Sequence, residues 1–298
     1  MSEQLLVKKT DATEFSDGGV PCVSVRGIGG MSLEKTFDCG QCFRFEASTH
    51  KQGAFEGVAF GEFLRVYQPE PDRIVLYNTD LDKYRRIWHR FFAFDHDWER
   101  IRADVASRAP ELYAAAKVAG DIRILSQDRF EALVSFIISQ CNNIPRIKGL
   151  VAALCRAYGE EIRTPEGERA YSFPTPESIL AKPVSELTKL KVGYRDEFIY
   201  DAARAASEGL LDEISAADST KKAEELVRSV RGVGGKVASC VLLFGFERYD
   251  AFPVDVWMKR AMLRLFGKVG NGSEFGPYAG VAQQYLFYCE RYLGGAAE

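Results

Sequence analysis

Arg231-Gly232-Val233-Gly234-Gly235-Lys236, running into the apolar stretch Val237 to Phe246 and followed by Phe252-Pro253-Val254-Asp255-Val256-Trp257-Met258-Lys259, organises the reading of the whole chain. Just upstream, Asp218 or Ser219 can cap a helix running to about Val230, with Leu226, Val227 and Val230 on its apolar face. Three glycines in four positions allow positive φ and a close backbone approach, so a tight hairpin with Val233 tucked inside can join two helices. The free N–H groups opening the second helix then form a site for a phosphate oxygen. The same turn would also serve in an ordinary αα-hairpin with no ligand. Lys236 shifts the balance. It is the one cation of a nearly all-apolar, hence buried, helix, and it stands in the first turn, where the helix dipole and desolvation both favour the neutral amine. A neutral lysine amine can attack carbon. Asp255 reads as the N-cap of a further helix with Met258, Met262 and Leu265 on one face; beside an activated lysine it could instead stabilise a developing oxocarbenium ion and shuttle protons.

Working outward, the first third alternates in short β-rich runs: Phe55, Gly57, Ala59, then 63–67, then 73–77, separated by Gly-Glu and Pro-Glu-Pro-Asp turn signals, which predict an antiparallel sheet. From Leu81 the period becomes helical. Ile87, Phe91 and Phe92, then Phe130, Leu133, Val134, Ile137 and Ile138, predict amphipathic helices facing a core. Helix 128–140 stops at Cys141-Asn142-Asn143, and proline suits a new start near Ile144-Pro145. A Pro- and Glu-rich loop, Thr164 to Pro183, divides the helical part into two lobes. The expected class is α+β: an N-terminal antiparallel sheet domain with following helices, 1–120, packed on a mostly helical two-lobed domain, 121–298, with the active site between the lobes.

The 298 residues are 46% hydrophobic and 27% charged, an ordinary globular composition. No apolar run is long enough to span a membrane. Met1 to Lys9 lacks the pattern of a secretory leader, so a cytoplasmic protein is expected. The net charge of −3 argues mildly against a nucleic-acid binder, but Val227 to Lys268 holds eight basic residues against three acidic ones, and Gln140 to Tyr158 three against none. Seven scattered cysteines are expected as free thiols; Cys39-Gly40-Gln41-Cys42 has no second pair to complete a metal site.

Gly232-Val233-Gly234-Gly235-Lys236-Val237-Ala238 followed by Val254-Asp255-Val256 resembles the helix-hairpin-helix Gly/Pro-Asp signature of base-excision DNA glycosylases. The order of the remaining motifs, from about Ser32 to Tyr292, is similar to that of the 8-oxoguanine DNA glycosylases. The resemblance implies a bifunctional glycosylase and β-lyase with Lys236 as nucleophile and Asp255 as catalytic carboxylate. Only Cys289 follows Cys240, so the iron–sulfur cluster of endonuclease III-like relatives has no ligands here.

Gln283 and Phe287, four apart, lie on one helical face, and an amide beside an aromatic ring is what a flipped purine needs; the pair would equally suit a core aromatic with a capping amide. The resemblance gives Gln283 the Watson–Crick edge, Phe287 one face of the base and Cys240 the other. It assigns to the main-chain carbonyl of Gly40, in Gly40-Gln41-Cys42-Phe43-Arg44, the N7–H that distinguishes 8-oxoguanine from guanine. It also implies that Asn142, Asn143, Arg146, Tyr194 and Arg195 fill the hole opposite cytosine, that Gly232 and Gly234 approach the DNA backbone, and that Trp257 stands near a flanking phosphate. Cys141 and Trp257 replace a common Asn and His, and Arg231, replacing a proline, could add a phosphate contact. The expected partner is double-stranded DNA containing 8-oxoguanine, bound by a monomer, with no catalytic metal or organic cofactor; the resemblance allows a structural monovalent cation at the hairpin near Val233. A glycosylase for another lesion and a non-catalytic helix-hairpin-helix DNA binder stay open as alternatives.

Overall fold

The alternating runs of the first third do pair. In the computed structural model, which describes residues 10–294, they form one six-stranded antiparallel sheet; Met1 to Lys9, read above for a leader, lies outside the described residues. Its strands are β1 (Asp11–Asp17), β2 (Val20–Arg26), β3 (Phe45–Ala47), β4 (Ala54–Ala59), β5 (Glu62–Glu70) and β6 (Arg73–Tyr77), in the order β1-β2-β6-β5-β4-β3. The three predicted runs are β4 to β6. The unforeseen β1–β2 hairpin turns through Gly18-Gly19, both at positive φ, the geometry that matches the twist of adjoining strands. One face of the sheet buries Val23, Val25, Leu64, Val66, Ile74 and Leu76 against Phe37, Phe45, Trp88, Phe91 and Phe92.

The helical stretch after Leu81 corrects one expectation. A π-helical turn at Tyr84–Trp88 adds a residue to the period, so Tyr84 and Trp88 turn inward while Ile87 is only partly buried.

Arg129–Ser139 is not one-sided either. Every residue from Phe130 to Ser139 is buried, because helices Ile144–Tyr158, Asp196–Ser207 and Gly235–Gly245 surround it. Its one buried charge, Glu131, is paired with Arg44 at 3.4 Å. The 164–183 segment is more ordered than the predicted loop: Arg169–Tyr171 pairs with Glu161–Arg163, and Pro176–Leu180 is helical, started by Thr175 as a cap. Helices Trp98–Arg108 and Pro110–Ala119 pack with the C-terminal helix Ala279–Tyr292 and share its apolar core. All seven cysteines are free; Cys39 is buried in the helical core and Cys42 in the sheet core.

Candidate active site

Ser219, not Asp218, caps the first hairpin helix, Thr220–Arg228, through Lys222 N–H. In the turn only Gly232 takes positive φ, +81°, and a Cβ there would stand 2.3 Å from the Phe198 ring, so both conformation and space require glycine. Val233 is buried and closes the turn through its N–H to the Val230 carbonyl at 3.1 Å. Gly234 is the N-cap of Gly235–Gly245 and has open space where a side chain would be. The first N–H groups of that helix are therefore reachable by a ligand at its positive end. Arg231 departs from the expected free cation. Its guanidinium lies 2.5 Å from Glu197 and 3.8 Å from Asp201, over the Phe198 ring, and fastens the hairpin to helix Asp196–Ser207.

Beside the hairpin is a pocket of about 420 Å³, within the range of small-ligand sites. It gathers Lys236, Asp255, Gly40, Cys240, Gln283, Phe287, Asn142 and Trp257 from stretches far apart in the chain. Half-buried Lys236 has its Nζ 3.5 Å from Ser139 Oγ and 5.3 Å from the centre of the Phe136 ring. Among the described residues no carboxylate pairs with it, so no ion pair has to break for the amine to act. Asp255 caps helix Val256–Phe266, accepting from the N–H groups of Trp257 (3.0 Å) and Met258 (2.9 Å) through one oxygen. The second oxygen accepts no hydrogen bond among the described residues. One turn after Lys236, Cys240 lies buried; desolvation pushes its thiol pKa up against the opposing pull of Lys236.

Helix Ala279–Tyr292 supplies the opposite wall. Gln283 and Phe287 are both buried, as the spacing predicts, and among the described residues the amide oxygen of Gln283 has no hydrogen-bond partner. An orphaned buried acceptor in a pocket wall is costly unless a ligand satisfies it. Gly40 has φ +79°, and a Cβ there would approach Ile144 Cδ1 to 3.3 Å. Sequence reading missed Ser139, Gln41 and Gln284. Gln284 donates to the Cys39 carbonyl at 2.9 Å, a partner no helical spacing could reveal; Ser139 was legible only as the end of its helix.

Of the two loops expected opposite the base, Cys141, Asn142 and Ile144 line the pocket, while Asn143, Arg146, Tyr194 and Arg195 lie outside its lining. Asn142 turns its amide back to the Ile138 carbonyl (2.7 Å), and Asn143 caps the next helix through Arg146 N–H (3.0 Å). Arg146 is exposed, and Tyr194 is 56% exposed. Arg195, expected as a guanidinium free to meet a base, is only 5% exposed. It donates to the carbonyls of Val192 (2.9 Å) and Gln140 and to the Tyr194 hydroxyl (3.2 Å), and so ties one loop to the other. Trp257 is partly buried, with the Arg260 guanidinium 5.1 Å from its ring centre. Among the described residues no cluster of three or more His, Cys, Asp or Glu side chains could hold a metal ion, and no helix is long and apolar enough to cross a membrane.

Comparison with known proteins agrees with this geometry. Residues 27–133 match the family model of the 8-oxoguanine DNA glycosylase N-terminal domain, and residues 134–274 that of the HhH-GPD superfamily base excision DNA repair proteins. Among solved structures, MBOgg1 in complex with a low-affinity DNA ligand is 37% identical with a TM-score of 0.86, over 95% of this chain and 99% of that one. The Clostridium acetobutylicum 8-oxoguanine glycosylase/lyase in complex with double-stranded DNA containing cytosine opposite 8-oxoG is 32% identical with a TM-score of 0.87, over 95% and 98%. The N-glycosylase/DNA lyase of Saccharomyces cerevisiae is 32% identical over 187 residues, 59% of this chain, and the match spans 50% of that relative's length.

Proposed function

The chain belongs to the 8-oxoguanine DNA glycosylase family within the HhH-GPD base-excision repair superfamily, and from that premise we propose that it excises 8-oxoguanine opposite cytosine and then nicks the strand. The hairpin N–H groups at Gly234 to Lys236 hold a backbone phosphate of double-stranded DNA, and the lesion swings into the pocket between Phe287 and Cys240. Gln283 answers the base edge with its free oxygen, and the Gly40 carbonyl accepts from N7–H. Lys236 Nζ attacks C1′ as the C1′–N9 bond breaks; the electron pair of that bond leaves with the base, which takes up the proton the attached amine releases. The unpaired oxygen of Asp255 stabilises the positive charge on the sugar. Ring opening gives a protonated imine; removal of a C2′ proton then expels the 3′ phosphate. Tyr194 wedges into the stack, Arg146 meets the estranged cytosine, and Arg195 joins it once freed from Gln140. Trp257 stands near the flanking phosphate. The protein acts as a monomer without a catalytic metal. Among the described residues the Arg228 and Ser229 carbonyls accept from no main-chain N–H, and they are the candidates to hold a structural monovalent cation beside Val233.

The observation that carries this reading is the meeting of an unpaired lysine, a half-used aspartate and an orphaned amide acceptor in one pocket. Borohydride trapping tests it. On a duplex with one 8-oxoguanine opposite cytosine, the wild type is expected to give a covalent protein–DNA adduct, absent on undamaged DNA and absent with Lys236→Gln. An adduct persisting in Lys236→Gln would refute the assignment of the nucleophile.

A further inference from the structure

The main chain at the pocket edge is held on both sides of Gly40 and left free in the middle. The Cys39 carbonyl accepts from Gln284 Nε2 at 2.9 Å, and the Gln41 carbonyl from Gln127 Nε2 at 2.8 Å. Gln41 is itself fully buried: its amide donates to the carbonyls of Thr36 (2.9 Å) and Arg123 (2.7 Å) and accepts from Leu125 N–H (2.9 Å). Gly40, between them, lines the pocket, and its carbonyl accepts no hydrogen bond among the described residues.

Glycine is the most rotatable point of a chain, and a free carbonyl on it would sample many directions. Here the peptide groups before and after it are each fastened by a buried amide, which removes that freedom before any ligand arrives. Gln284 adds a second constraint. It stands on the same helix as Gln283 and Phe287, so its bond to Cys39 joins the main-chain edge of the pocket to its side-chain wall across 245 positions of sequence. A Cβ on Gly40 would stand in ordinary van der Waals contact with the Phe287 ring at 3.9 Å and in a tighter one with Ile144 Cδ1 at 3.3 Å.

We propose that Gln284, supported by Gln41 and Gln127, is a positioning residue for base recognition, holding the Gly40 carbonyl free as an acceptor at the pocket edge and setting its distance from the Gln283–Phe287 wall. This rests on the activity proposed above. Gln284→Met keeps the length and apolar stem of the side chain and removes the donor. Single-turnover excision of 8-oxoguanine opposite cytosine is expected to slow about tenfold, the scale of one buried hydrogen bond lost from an organised site. Strand cleavage at a preformed abasic site, which offers no base to read, should change by less than about twofold by the same reasoning. Gln127→Met, whose side chain is outside the pocket, should show the same split, and it serves as the test if Gln284→Met does not fold. Equal slowing on both substrates would mean a merely structural role and overturn the proposal, as would unchanged excision. Wild type inactive on 8-oxoguanine would overturn the activity reading itself, so the two failures are told apart by the wild-type measurement.

Discussion

Glu247 offers the sharpest test of how the helix bearing Lys236 is anchored. It follows the end of that helix at φ +56°, and its carboxylate accepts from Ser126 Oγ at 2.7 Å, from Arg90 at 3.2 and 3.3 Å, and lies 3.5 Å from His96 Nε2. The His96 hydrogen bond, then those of Ser126 and Arg90, hold its carboxyl at about 2 despite opposing burial, against an ordinary value of 4.5. At 1.36 kcal/mol per pH unit that difference amounts to about 3 kcal/mol, reduced to roughly 2 by solvent screening of a carboxylate that is 28% exposed. A depressed carboxyl stabilises the fold fully above its unfolded value and loses that contribution as protons bind, between about pH 4.5 and 2. Glu247→Gln should therefore lower the unfolding free energy by about 2 kcal/mol at pH 7, and its gap to the wild type should close as pH falls through that window. Urea unfolding of both proteins at pH 7, 5, 4 and 3 measures it. A gap that stays constant through the window, or is absent at pH 7, would refute the reasoning.

Three other changes separate stability from chemistry. Asp255→Asn keeps an equally good helix cap, so the melting temperature should hardly move while single-turnover excision falls at least about 100-fold; a parallel loss of both would reduce Asp255 to a cap. Gly232→Ala forces a side chain into left-handed backbone and against Phe198, about 2 to 5 kcal/mol in denaturant unfolding, with weakened DNA binding; a cost below about 0.5 kcal/mol would contradict the turn geometry. Gln283→Leu removes an orphaned acceptor and should leave stability unchanged or about 1 kcal/mol higher, while binding to lesion DNA drops roughly tenfold; thermal unfolding beside a titration of lesion duplex shows whether the two move apart.

The parts legible in the sequence are those set by local chemistry. The glycine hairpin, the Asp255 cap and the Gln283–Phe287 face each depend on residues a turn apart, and the structure reproduces all three. The β1 strand escaped notice because it is exposed along nearly its whole length and so lacks the alternation that betrays a half-buried strand, although Asp17-Gly18-Gly19 was a turn signal. Ile87 was misplaced because an α-helical period cannot anticipate a π turn. Arg195 and Arg231 look like solvated cations in one dimension; their partners, the Gln140 carbonyl and Glu197, come from other elements. Gln41 and Gln284 are hidden for the same reason: polar residues buried by long-range bonds leave no periodic trace.

The order in which the pocket's walls occur along the chain bears on its safety during synthesis. Lys236 and Asp255 emerge from the ribosome before helix Ala279–Tyr292, whose Gly280 N–H then bonds the Tyr249 carbonyl at 2.7 Å and whose Gln284 bonds the Cys39 carbonyl at the pocket edge. A growing polypeptide thus carries the proposed nucleophile for a time without the wall proposed to read a base. Because Gly280 packs where a Cβ would stand 2.5 Å from the Ala251 carbonyl, the late helix seats directly on the segment leading to Asp255, and the wall proposed to read the base arrives with the same packing event that closes the pocket.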